Sequence, residues 1–135
     1  MKSILIIVTT VLFYVSIGYG QNIILTCDTP IEMYNDHVGH EWKFGFGVNR
    51  SFVSAFGQVT VPVSSAGTLE FIIQEDDKYP DQTTIDLDID PSLLQINKLY
   101  TRTIEMVVTE NAGQYQGNTA KWSITIHYKK TATKA

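Results

Sequence analysis

The chain has 135 residues, 44% of them hydrophobic, and a formal net charge of -4 at pH 7. This length suits one domain with its own core, and the negative charge argues against nucleic acid or an anionic membrane as a direct electrostatic partner. The sequence contains one cysteine, Cys27, which excludes an intrachain disulfide.

The amino-terminal residues have the pattern of a secretory signal peptide. Lys2 precedes the apolar run Ile4 to Ile17, which ends in small residues and is too short to span a bilayer comfortably. The run favours cleavage before Gln21, and with it secretion into the extracellular space without a transmembrane segment in the mature chain. We therefore predict a signal peptide over residues 1–20, a domain over residues 21–128 and a flexible tail over residues 129–135.

The first mature strand is predicted from Asn22 to Cys27, so the thiol lies at its end. Three roles are open to Cys27: a buried apolar residue, an intermolecular disulfide that links two copies into a homodimer, or a reactive thiol. No motif of a catalytic nucleophile surrounds it.

Two histidines follow in the predicted turn before the second strand. His37 and His40 have an H-x-x-H spacing between Asp36 and Glu41. The helical zinc motifs H-E-x-x-H and H-x-x-E-H need another order, so a surface histidine pair is the prediction. Asp36 remains a candidate ligand for a different kind of metal site.

Large apolar residues alternate along the second strand, predicted from His40 to Val48, and predict a core face made of Trp42, Phe44, Phe46 and Val48. The opposite face contains Gly45 and Gly47. Glycines there favour close backbone packing or a bulge over a ligand groove. In the next turn Asn49 begins an N-x-S sequon, so Asn49 is a possible glycosylation site in a eukaryote.

Acidic residues crowd the stretch from Gln74 to Ser92. Asp86, Asp88 and Asp90 alternate with apolar residues and stand about 7 Å apart along a strand, so they predict a solvated acidic face that opposes aggregation. The acids of the preceding loop can converge instead: Glu75, Asp76, Asp77 and Asp81. An EF-hand is excluded, because Pro91 and Asn97 occupy the positions that require glycine and glutamate.

The segment FIIQEDDKYPD, residues 71–81, resembles the calcium-binding loop of C2-type β-sandwiches: an apolar strand, two acids one residue apart, then another acid. In that family such a loop binds calcium together with a second acidic loop and often docks to phospholipid. The resemblance implies calcium as a cofactor, with ligands at Glu75, Asp76, Asp77 and Asp81, and with Asp36 supplying the second loop. It covers residues 71–81 alone, and a solvated loop without metal is the alternative.

A polar, glycine-containing loop extends from Glu110 to Thr119. Tyr115 is its central aromatic residue, and Asn111 and Asn118 lie on either side of it. This composition suits an adaptable recognition loop. The alternative is an ordinary long hairpin with Tyr115 folded onto the sheet.

The pattern of short runs and turns predicts an all-β fold, a single antiparallel β-sandwich of about seven strands, C2-like or immunoglobulin-like. The predicted strands are Asn22 to Cys27, His40 to Val48, Gln58 to Val63, Thr68 to Gln74, Thr83 to Asp88, Thr101 to Thr109, and Ala120 to Tyr128. No catalytic motif is present, so we predict a secreted binding module for an extracellular protein, glycan or lipid, and not an enzyme. The alternative is a structural protein that assembles through edge strands or Cys27.

Overall fold

A computed structural model describes residues 20–132, so nearly all of the predicted signal peptide lies outside the described residues. No helix within residues 20–132 has the length and apolarity needed to cross a membrane. Two short 3-10 helices occupy Val63–Thr68 and Pro91–Leu93. The nine strands are β1 (Gln21–Cys27), β2 (Ile31–Asn35), β3 (Trp42–Val48), β4 (Ser51–Ser54), β5 (Val59–Pro62), β6 (Glu70–Glu75), β7 (Asp81–Asp86), β8 (Tyr100–Thr109) and β9 (Thr119–Ala132).

The strands form two antiparallel sheets around a shared core, which confirms the predicted all-β sandwich. One sheet has five strands in the order β2-β9-β1-β5, with β8 paired to β9 as well. The other has four strands in the order β4-β3-β6-β7. The finer assignment to a C2-like or immunoglobulin-like type stays a prediction.

Alternating apolar residues from both sheets fill the space between them, as in other β-sandwiches. Ile23 of β1, Phe46 of β3, Phe71 of β6 and Ile124 of β9 are completely buried. The rings of Phe46 and Phe71 meet edge to face with centroids 5.3 Å apart. The predicted inward face of β3 is confirmed, because its large apolar residues all join or pack against this core.

Strand β9 is the central element of the five-stranded sheet. Strand β8 pairs along one of its sides, whereas β1 and β2 share the other side. Pairing continues to Ala132, whose partner is Gln21. Residues 129–132, which were predicted to belong to a flexible tail, are therefore part of β9, and residues 133–135 lie outside the described part of the chain.

The sequence pattern did not predict β2 or β4. Four of the five side chains of β2 are exposed, and all four residues of β4 are exposed. Strand patterns depend on one buried face, and neither strand has one. Both lie at the edge of a sheet, where backbone pairing on one side is enough to hold them.

The acids predicted to be solvated do face water. Asp86, Asp88 and Asp90 are exposed, although β7 ends at Asp86 and the other two lie in the segment after it. Asp90 caps the second 3-10 helix, because its side chain accepts a hydrogen bond from the backbone N–H of Ser92. This agrees with the predicted helical turn at Pro91.

Candidate functional site

Three loops meet at one end of the sandwich, which we call the loop end: residues 36–41, 76–80 and 110–118. The backbone N–H of Asp76 donates to the carbonyl of Glu41 at 2.7 Å. The rings of His37 and Tyr115 stack with centroids 4.6 Å apart. The first loop therefore contacts both of the others, and the three form one continuous surface.

Three buried carboxyl side chains lie beneath this surface, and we call them the carboxyl cluster: Glu75, Asp81 and Glu110. Glu75 ends β6 and is the register partner of Asp81, which begins β7. Glu110 follows β8 and therefore comes from the opposite sheet. Their exposed fractions are 2%, 0% and 8%, respectively. Buried carboxyls without cations are rare because desolvation penalises the charged form, so the cluster requires compensation.

The hydrogen bonds of the cluster leave two oxygen atoms without a donor. Asp81 Oδ1 accepts from the backbone N–H of Asn111 at 2.8 Å, and Glu75 Oε1 accepts from that of Glu41 at 3.5 Å. Glu75 Oε2 and Asp81 Oδ2 are buried and have no partner within the described residues. Such atoms cost free energy unless a proton, a water molecule or a cation satisfies them.

Gly39 allows the first loop to approach this cluster closely. A Cβ atom at residue 39 would lie 2.2 Å from Glu75 Oε1, and the backbone there has φ +128°. Both the space and the backbone conformation therefore require glycine. The close approach covers Glu75 and contributes to its burial.

Burial raises the pKa of both Glu75 and Glu110. The nearby charges of Asp81 and Asp77 raise each pKa further, whereas a backbone N–H donor lowers it in each case. A proton on Glu110 lies within hydrogen-bonding reach of Asp81. That proton would supply the donor that Asp81 Oδ2 lacks when both groups are ionised.

The structure brings only two of the five predicted calcium ligands, Glu75 and Asp81, into the cluster. Asp76 forms an ion pair with Lys43 at 2.5 Å, on the outer face of the sheet. Asp77 Oδ1 accepts from the backbone N–H of Tyr79 at 2.7 Å within its own loop. No group of three or more His, Cys, Asp or Glu side chains within residues 20–132 is arranged to hold a metal ion.

Asp36, the predicted contribution of a second acidic loop, also lies outside the cluster. Its carboxylate is 2.9 Å from His37 Nδ1, and its side chain is 63% exposed. The third carboxyl group of the cluster comes instead from Glu110, which the sequence pattern did not mark as a candidate ligand. A signal for Glu110 exists in the alternation of β8: Ile104, Met106 and Val108 are buried, and the next position on that face is 110.

The predicted recognition loop is a hairpin between β8 and β9 whose aromatic residue contacts another loop. Tyr115 is 41% exposed and stacks on His37. Asn111 and Asn118 act through the backbone: the N–H of Asn111 donates to Asp81, and the N–H of Asn118 donates to the carbonyl of Tyr115. The hairpin is therefore attached directly to the carboxyl cluster.

Cys27 and Asn49 lie away from the loop end. Cys27 is half-buried, its Sγ donates to the carbonyl of Asp28, and burial raises the pKa of its thiol to about 11. A thiol with so high a pKa is almost fully protonated at neutral pH, which disfavours a reactive role. Asn49 lies in an exposed turn, and its Nδ2 donates to Ser65 Oγ at 3.3 Å; its glycosylation stays a prediction.

The chain matches no protein-family model, and no curated protein or solved structure matches it significantly. Its functional interpretation therefore rests on the chemistry of its own residues.

Proposed function

We propose that this chain is a secreted β-sandwich binding module that recognises an extracellular ligand through the loop end. In this proposal a calcium ion at the carboxyl cluster stabilises the recognition surface. The observation that carries the proposal is the pair of buried oxygen atoms, Glu75 Oε2 and Asp81 Oδ2, that lack a donor beneath three converging loops.

The donor set fits a hard cation better than it fits a transition metal. Carboxylate oxygens suit calcium, which takes roughly six to eight oxygen ligands. Glu75, Asp81 and Glu110 would provide side-chain ligands from both sheets, while Asp77 at the rim contributes negative charge. Because these side chains are not arranged around one point in the structure, calcium would have to draw them together. Water and loop carbonyls would have to complete the shell, because three carboxyl groups alone are too few.

Calcium at this position would affect the recognition loop through Asp81. This side chain is fully buried and already accepts the N–H of Asn111, which begins the loop that carries Tyr115. Neutralising the cluster removes the repulsion between its members. The loop end would then open less often, and a partner would meet a preorganised surface.

The first experiment is thermal unfolding of residues 21–135 in EDTA, in millimolar calcium and in millimolar magnesium. A ligand that binds only the folded state stabilises it by about 2.7 kcal/mol when its concentration is 100 times its Kd. We expect calcium to raise the Tm of the wild type and to have little effect on Asp81→Asn and Glu110→Gln. Calorimetric titration with calcium measures the same binding directly.

The matched control is Asp88→Asn, which removes the same charge from an exposed residue outside the cluster. This variant should keep the full response to calcium. The response should also weaken at acidic pH, because calcium binds deprotonated carboxylates and the pKa values of Glu75 and Glu110 are raised. If calcium shifts neither the Tm nor the titration heat of the wild type at neutral pH, the proposed calcium site is wrong.

A second candidate function is structural: self-assembly through an edge strand. It is favoured by β2, which pairs only with β9 and whose Ile31 and Met33 are 64% and 50% exposed. Edge strands with exposed apolar side chains can pair with another chain. The high pKa of the Cys27 thiol makes a disulfide the weaker means of assembly.

A further inference from the structure

On the outer face of the four-stranded sheet, side chains of the neighbouring strands cover two glycines of β3. Gly45 and Gly47 occupy successive outward positions of β3, which lies between β4 and β6. The ring of Phe52 fills the space above Gly45, because a Cβ atom there would lie 2.3 Å from the Phe52 Cε2 atom. The ring therefore lies over the sheet, yet 48% of the Phe52 surface remains exposed.

Polar side chains surround this aromatic platform in register across the strands. One cavity of about 410 Å³ is lined by Lys43, Arg50, Phe52, Ile72, Gln74 and Gln82. A second cavity of about 380 Å³ shares Arg50 with it and includes Glu70 and Asp86. The two cavities therefore adjoin at Arg50 on the outer face of the sheet, and together we call them the sheet groove.

Three polar side chains of the sheet groove are free to meet a ligand. Arg50, Gln82 and Asp86 make no side-chain hydrogen bond or ion pair with the residues that the structure describes. Lys43 and Gln74, in contrast, both contact Asp76. Asn49 and Thr68, which line the second cavity, are hydrogen-bonded to each other. The unoccupied donors and acceptors of the groove are therefore those of Arg50, Gln82 and Asp86.

The chemistry of the lining fits a sugar. A guanidinium and an amide donate, a carboxylate and an amide accept, and these planar groups can bind adjacent hydroxyls, which both donate and accept. The exposed ring of Phe52 provides a flat apolar surface for the C–H face of a pyranose. Binding sites commonly combine an apolar platform with a few placed polar groups in this way.

Other ligand classes fit the groove less well. Glu70 and Asp86 lie in the same groove as Arg50, and Asp76 neutralises Lys43, so a phosphate or another anion would meet no net positive field. An extended peptide would need free backbone groups at a strand edge. Those of β3 and β6, the two inner strands beneath the groove, are already bonded on both sides. The edges of β4 and β7 lie at the two sides of the sheet and not along the groove floor.

From these observations we infer that the sheet groove is a carbohydrate-binding site for a neutral oligosaccharide, with Phe52 as the stacking residue and Arg50, Gln82 and Asp86 as hydroxyl-binding residues. This site differs from the loop end, and its lining contains no member of the carboxyl cluster. It is therefore independent of the proposed calcium site, and either can fail without the other.

The test is binding of residues 21–135, produced in bacteria so that no glycan is attached at Asn49, to an array of neutral oligosaccharides. The array contains hexoses and N-acetylhexosamines in defined linkages, and calorimetry then measures the affinity for the best ligand. We expect Phe52→Ala to weaken binding about ten-fold or more, as truncation of a central aromatic residue often does. Gln82→Ala, on an edge strand, should weaken it as well without affecting the fold.

The matched control is Phe56→Ala, which removes an equally large ring that is 67% exposed and lies outside the groove. This variant should bind the oligosaccharide like the wild type. Binding should also persist in EDTA and in Asp81→Asn, which separates this site from the calcium proposal. The inference is overturned if no oligosaccharide binds at millimolar concentration, or if Phe56→Ala loses as much affinity as Phe52→Ala while all variants remain folded.

Discussion

Glu75 and Glu110 are the residues of the cluster through which the pH of the solution acts on its stability. The pKa of each is raised above the usual glutamate value of 4.5 in the folded protein. The folded protein therefore holds more protons than the unfolded chain once the pH exceeds that value. As the pH rises through the raised pKa values, these protons leave and the stability they provide is lost.

We accordingly expect Glu110→Gln to reduce this loss of stability in EDTA. The amide cannot ionise, it offers N–H donors to Asp81, and it removes one repulsive charge from Glu75. Chemical denaturation between pH 4 and pH 8, a range of about four units chosen to span the titration, measures the free energy of unfolding of both proteins. The curve of the variant should be flatter than that of the wild type.

The comparison protein for this measurement is Glu32→Gln, which makes the same substitution at an exposed position of β2. It should reproduce the wild-type pH dependence. A Glu110→Gln curve as steep as that of Glu32→Gln would mean that Glu110 is not one of the groups that titrate.

The sequence could predict part of the cluster, because Glu75 and Asp81 belong to one acidic segment. It could not separate them from Asp76 and Asp77, since only the pairing of β6 with β7 places Glu75 opposite Asp81 and leaves the other two acids in the loop between the strands. Glu110 was out of reach for another reason. It is distant in sequence from Glu75 and Asp81 and comes from the other sheet. Only the alternation of buried residues along β8 indicated that its side chain faces inward.

The last strand shows how an element can extend past its sequence signal. The alternation of apolar residues ends near Tyr128, which is why a flexible tail was predicted from residue 129. Lys129 to Ala132 nonetheless pair with Gln21 to Ile24. Lys130 also donates to the carbonyl of Pro91 at 2.8 Å and joins the segment after β7 to the sheet. Long polar residues can continue a strand when a partner strand is already in place.

Deletion of residues 129–135 should therefore destabilise the domain by roughly 1–3 kcal/mol, because it removes several backbone hydrogen bonds between β9 and β1. Chemical denaturation gives the value. Deletion of residues 133–135 alone is the control, since it removes no residue of β9, and it should have little effect. Equal stability of the two truncated proteins would contradict the role assigned to the end of β9.

At the scale of the molecule, composition and alternation were enough to predict a two-sheet sandwich, and seven of the nine strands were predicted close to their observed positions. The sheet order was not predictable, because it depends on pairing between distant segments such as β1 and β9. The outer groove was missed for a similar reason. Its aromatic residue, Phe52, belongs to β4, an edge strand without a buried face that the sequence pattern did not predict.

Self-association is a property of the whole molecule and tests the structural candidate. That candidate predicts that sedimentation of the wild type shows a dimer at high concentration, with and without reductant, and that Met33→Lys in β2 is a monomer. Phe56→Lys introduces the same charge at an exposed apolar position away from β2 and should behave like the wild type. A wild type that is monomeric at every concentration rules out assembly through the β2 edge.

The pairing of Gln21 with Ala132 determines how this domain responds to mechanical force. The two residues are antiparallel neighbours, so a pull that separates them acts along the inter-strand hydrogen bonds and not along the strands. The hydrogen bonds between β1 and β9 would then break one after another, because the force is not distributed over all of them at once. A domain pulled at Gln21 and Ala132 should consequently unfold at low force. The loop end lies at the opposite end of β9 and would be the last part to experience that force.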